Sequence, residues 1–157
     1  MTDTAGEPAP DARLEVLATT ECYRLLATHE VGRIGVNAEQ HYPLVFPVNY
    51  AMDGTTVVLR TAPGTKLSAA PHANVTFEVD DIDRHSRTGW SVLVRGLAEE
   101  VGPEDRPEFV ARTHAAGVTP WAPGEHGNWL RIITHHISGR RIVAGELPPA
   151  VDPRAYL

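Results

Sequence analysis

The sequence predicts a mainly β (α+β) fold: a six-stranded antiparallel barrel, closed or split, with short flanking helices. Three observations predict it. Short runs rich in Val, Ile and Thr alternate polar and apolar side chains with period two, as in NVTFEVD over 74–80. Turn punctuation, most plainly Asp53-Gly54, joins one run to the next. No run is followed by the long helical crossover that a parallel sheet requires.

Composition bounds the rest. A chain of 157 residues suits one domain. Its net charge of −6, with no dense Lys/Arg run, argues against a nucleic-acid partner. Cys22 is the only cysteine, which excludes an internal disulfide and a cysteine-based zinc site and fits a reducing, cytoplasmic setting. No apolar run is long enough to span a membrane, and MTDTAGEPAPDAR lacks the basic and apolar regions of a secretory signal. Residues 1–13 read as a disordered leader, 14–146 as the ordered domain and 147–157 as an irregular tail.

In order along the chain, Thr20 is placed to cap a short helix, with Cys22, Leu25, Leu26 and His29 on one face. Strands are expected over Val31–Asn37, Tyr42–Ala51 and Thr55–Thr61, with a polar turn at Asn37–Gln40 and a hairpin at Met52-Asp53-Gly54. Thr65–Ala70 reads as a short helix and Asn74–Asp80 as a half-buried strand. Asp81–Thr88 comes next as a charged loop, then a long strand over Gly89–Ala98 with a bulge or bend at Gly96. Gly102-Pro103-Glu104-Asp105 opens a second helix that stops at Gly117. A Pro/Gly-rich loop, Val118–Gly127, leads to a last strand from Asn128 to Val143.

Two stretches carry candidate chemistry. In VVLRTAPGTK a buried strand delivers Arg60 and Thr61 to its end, and a Pro-Gly turn leads to Thr65 and Lys66 at a helix start. Two cations, two hydroxyls and turn amides are the equipment for a phosphate; the same residues also suit a solvated strand end that opens a surface helix. Neither a P-loop nor G-x-G-x-x-G is present. The second stretch holds Pro43 and Pro47, which cannot donate to a ladder, so that strand is expected at an edge or bulged around Pro47. Backbone groups of Val48, Asn49 and Tyr50 are then left to meet a flat polar heterocycle or solvent. Adjacent His135 and His136 on a regular strand point to opposite faces, and no metal site is expected. Trp121 and Trp129 bracket the Pro/Gly loop, to pin it or to line a pocket.

The succession VGRIGVN, YPLVFPVNYAMDG, VVLRTAPGTK, NVTFEVDDID, GWSVLVRGLAEEV, NWLRI and SGRRI resembles the pyridoxamine 5′-phosphate oxidase-like, FMN-binding split-barrel superfamily. Within it, the likeness is to the nitroimidazole-resistance-type branch, over roughly residues 17–143. The resemblance implies a split barrel that forms a homodimer, with two cofactors in clefts at the subunit interface. It implies that Arg60, Thr61 and Lys66, with Thr65 beside them, hold the FMN phosphate. Pro47, Val48, Asn49 and Tyr50 would lie along the isoalloxazine ring, and Trp90 and Ser91 would approach it from the other subunit. The expected activity is oxidoreduction of a small molecule, with no side chain marked as catalytic. The alternatives on the same fold are an F420-dependent reductase and a flavin- or haem-binding module without turnover. The residues by which the vitamin-B6 oxidase reads its substrate phosphate are not identifiable, so the chain resembles a relative of that oxidase.

Overall fold

The computed structural model describes residues 12–37, 42–62 and 72–145. The elements are β1 (Arg13–Val16), α1 (Thr19–Leu26), β2 (Val31–Asn37), β3 (Pro43–Asp53), β4 (Thr56–Thr61), β5 (Asn74–Asp83), β6 (Thr88–Val101), α2 (Pro107–Ala115) and β7 (Asn128–Val143). Six antiparallel strands close a barrel in the order β7-β4-β3-β2-β5-β6, with β6 returning to β7. The 16-residue β7 outruns β4, and its far half pairs with β1, a strand that no pattern in the sequence marks. The expected turn at Ala38–Gln40, the helix at Thr65–Ala70 and the tail 147–157 lie outside the described residues.

Period-two alternation fills the interior. Ile34, Val36, Val57, Leu59, Val75, Phe77, Val79, Val92, Val94, Leu130 and Ile132 are buried in one cluster. Cys22, Leu25 and Leu26 of α1 join that core, as their spacing predicts. Burial pushes the Cys22 thiol up, so it is an inert packing group. The expected cap at Thr20 is corrected: the helix starts at Thr19 behind Ala18, and no side chain caps it. The second helix is also shorter than expected. Asp105 folds back on the Gly102 N–H, and α2 starts with Pro107 in its first turn.

β3 changes partners midway. Among the described residues Pro43–Asn49 pair only with β2, and Tyr50–Asp53 pair with β4. Both prolines therefore sit in the half with one open side, where a missing N–H is tolerated. The β2–β3 register is unbroken through Pro47, so the expected alternative of a bulge there is overturned. The hairpin to β4 turns on Gly54-Thr55, with Gly54 at φ +60, because a positive first central φ matches the strand twist.

A real bulge lies opposite Gly96. Arg95 pairs with His136 and Gly96 with Thr134, so His135 is the extra residue on β7. A Cβ on Gly96 would stand 2.1 Å from the Ile133 carbonyl oxygen, which fixes glycine at the close approach. The bulge removes the regular alternation on which the opposite-face expectation for His135 and His136 rests, and both residues line one cavity of about 590 Å³ beside Arg95.

Candidate functional site

The end of β4 builds one wall of a cleft of about 310 Å³. Arg60 pairs with Trp129 and Thr61 with Asn128 across the β4–β7 ladder. Arg60 Nε donates to the His126 carbonyl oxygen at 3.1 Å, and the guanidinium carbon lies 4.8 Å from the centre of the Trp129 ring. Trp129 is stacked in turn on His114, with centroids 4.5 Å apart. One edge of the guanidinium is thus tied down and its face is stacked, and among the described residues its terminal amino groups have no hydrogen-bond partner, which suits them to an anion. Thr61 is buried at the back of the cleft. Thr65 and Lys66 lie outside the described residues.

The opposite wall is the half of β3 with one open side. Pro47, Val48 and Asn49 line the same cleft as Arg60 and Thr61, so five residues singled out in the sequence come together in space. Asn49 has a structural task there as well. Its Nδ2 donates to the Glu30 carbonyl at 3.3 Å, and its Oδ1 accepts the Trp121 N–H at 2.8 Å. That bond holds the Pro/Gly-rich loop over the cleft, with Trp121 itself 66% exposed on the lining. Sequence reasoning could not choose between pinning and lining for Trp121; the backbone does the pinning, and the ring is left outside. Trp129, in contrast, is half-buried under Arg60.

Tyr50 belongs to the core. Its ring meets Phe77 edge-on at 4.9 Å, and its hydroxyl donates to the Leu26 carbonyl. Burial pushes that hydroxyl far above the ordinary phenol value, so it stays a neutral donor. Its side chain therefore faces the interior, on the same side of β3 as Val48, which also packs against the core.

Trp90 and Ser91 are neighbours on β6, so their side chains leave opposite faces of the strand. The Trp90 side chain packs toward the core, 5.0 Å edge-on to His29. Ser91 lies on the outer face, opposite Arg140 on β7 and Asp80 on β5. Both residues border a second cleft of about 530 Å³, separate from the Arg60 cleft within one chain. Among the described residues no group of three or more His, Cys, Asp or Glu side chains is arranged to hold a metal ion. No helix among them is long and apolar enough to cross a membrane.

A profile of the pyridoxamine 5′-phosphate oxidase family matches residues 18–141. The chain belongs to that family. Membership carries the flavin-binding split-barrel fold. The uncharacterized protein Rv0080 of Mycobacterium tuberculosis is 34% identical over 95% of this chain and 100% of its own length. The FAD-binding protein of Mycobacterium smegmatis shares 37% identity and superposes with a TM-score of 0.72, covering 83% of this chain and all of that one. An FAD-binding protein from Mesorhizobium loti is 26% identical with a TM-score of 0.64, over 84% of this chain and 98% of its own.

Proposed function

We propose that this protein is a flavin-dependent oxidoreductase acting on a small molecule, with FMN held by its phosphate in the Arg60 cleft. The observation that carries the reading is the convergence of Arg60 and Thr61 with the proline-bearing edge of β3 around one cleft. Arg60 suits a phosphate because its Nε is already occupied and its fork is held by Trp129. Lys66 and Thr65 would add charge and a hydroxyl from the segment after β4. Pro47, Val48 and Asn49 offer a flat wall with few free donors, suited to one edge of a ring system. The flavin would supply the hydride or electron transfer, and the chain supplies anchoring, orientation and shielding from water. The family context supports a flavin, and the names of the two FAD-binding relatives favour FAD as the second reading for the cofactor.

A second copy completes the site in this reading. Val45, Ile82, Leu93, Ile142 and Leu14 are exposed apolar side chains, and register places them on the outer face of the continuous sheet β3-β2-β5-β6-β7-β1. A face of that kind calls for a partner. Two copies packed there would bring the Ser91 face of one toward the Arg60 cleft of the other.

Purification of Arg60→Ala combined with Lys66→Ala tests the anchor. The wild type is expected to purify yellow and the variant colourless, without flavin uptake on titration. A variant that keeps its colour overturns the assignment. Mass spectrometry of the released chromophore separates FMN, FAD and F420. Oxidation of NADH or NADPH by the loaded protein separates an enzyme from a binding module.

A further inference from the structure

The loop between α2 and β7 brings a further ionisable side chain to the Arg60 cleft. His126 lines that cleft with Arg60, Asn49 and Trp121. Its main chain is fixed there, because its carbonyl oxygen accepts the Arg60 Nε–H at 3.1 Å. The loop is fixed a second time where Asn49 Oδ1 accepts the Trp121 N–H at 2.8 Å. Two residues after His126 the chain enters β7, with Asn128 opposite Thr61. His126 is thus tied to the strand end that offers the anion anchor, on a loop tied also to the β3 wall.

The imidazole is oriented as well. Nδ1 lies 3.0 Å from the Gly124 carbonyl oxygen. A carbonyl only accepts, so Nδ1 carries a hydrogen and donates it. Nε2 is then the nitrogen left for a bound group, and among the described residues it has no hydrogen-bond or ion-pair partner. In the neutral ring Nε2 is a lone-pair acceptor, which an oxyanion avoids. In the imidazolium it is a charged donor, which an oxyanion seeks. Histidine ordinarily makes that change between about pH 5 and 8.

Few other charges face it. Among the described lining residues Arg60 is the other charged side chain, and an arginine keeps its charge throughout. Lys66, outside the described residues, is expected to add a cation that is likewise constant near neutrality. Glu125 precedes His126 in the loop and is exposed, and Glu30 meets the cleft through its carbonyl, which Asn49 holds. His114 of α2 reaches the site through Trp129, on which it stacks and over which Arg60 lies.

We propose that His126 is a second ligand for the flavin phosphate, donating from Nε2 when its ring is protonated, so that the cofactor is held more tightly as pH falls below neutrality. The assignment rests on the flavin reading above.

The test compares FMN with riboflavin, which lacks the phosphate, by fluorescence titration of the full chain freed of bound flavin, at pH 6 and pH 8.5. His126→Asn is the informative variant: its amide can still donate to the Gly124 carbonyl, but it has no second nitrogen and no charge. The wild type is expected to bind FMN about tenfold more tightly than this variant at pH 6, and equally at pH 8.5. Comparing two proteins at one pH cancels the second ionisation of the FMN phosphate itself. Riboflavin should not distinguish them at either pH. His114→Phe, which keeps an aromatic ring on Trp129, should retain the whole effect. No wild-type advantage at pH 6 overturns the proposal. So does an advantage equal at both pH values or shared by riboflavin, which would make His126 a structural residue of the loop. An effect that vanishes in His114→Phe overturns it by moving the titrating group to α2. Each of those results leaves the Arg60 anchor standing, whereas a protein that binds neither flavin overturns both readings.

Discussion

At the scale of single residues, absent side-chain atoms govern as much as present ones. Gly96 has the Ile133 carbonyl where its Cβ would be, so Gly96→Ala should destabilise the protein by about 2 kcal/mol, read from urea unfolding. The same experiment on Gly54→Ala reports a different cause. That residue has open space around it but a φ of +60, so its smaller loss comes from backbone strain. Legibility at this scale was uneven. Arg60 and Thr61 could be picked out because a cation and a hydroxyl at a strand end are a chemical statement in themselves. Asn49 and Tyr50 could not be resolved, since their bonds go to Glu30, Trp121 and Leu26, partners that only the folded chain brings near. Trp121 was ambiguous for a related reason: what pins it is its own backbone N–H, and the ring's identity says nothing about that.

At the scale of elements, two ion-pair sets fasten the helices to the barrel. Arg131 of β7 is 3% exposed, bonds Thr113 of α2 at 3.0 Å, and reaches Asp53 at the end of β3 at 2.6 Å. Arg112 of α2 joins Asp53 at 2.8 Å. Asp53→Ala would leave Arg131 buried without its carboxylate and should cost about 3 kcal/mol of unfolding free energy. Burial alone would raise the Asp53 carboxyl, but bonds from Arg131 and Arg112 outweigh it and hold the group below its ordinary value. On the other helix, hydrogen bonds from Arg24 and Arg141 bring Glu21 from 4.5 to about 2. Both carboxylates therefore contribute stability that is complete above their unfolded values and is lost as pH falls through the folded ones. Thermal melts should accordingly fall from about pH 4.5 downward, and Glu21→Gln should flatten part of that slope. The strands were legible because alternation and prolines act locally. The start of α2 was not, because Pro103 and Pro107 both suit a first turn, and the Asp105–Gly102 bond, which no pattern announces, selects the second.

At the scale of the whole molecule, the proposed dimer would rest on the apolar outer face. Val45→Lys with Leu93→Lys should convert a dimer to a monomer in sedimentation velocity and lower flavin content with it, since each cleft would lose its second wall. A monomeric variant that keeps full flavin would separate assembly from binding. The barrel itself was legible in the sequence, but its seventh strand was not. Arg13–Val16 is too short to show a period and takes its shape from the overhang of β7. That overhang belongs to a strand which touches β4, β6 and β1 at once, and it is the last one in the barrel to be made. On the ribosome, residues up to Gly127 can pair hairpins yet cannot shut the cylinder. Two open margins, those of β4 and β6, wait side by side for a piece that has not emerged. Nascent copies on neighbouring ribosomes of one messenger would present the same margins to each other, so this barrel should depend on holding chaperones during synthesis more than its modest size suggests.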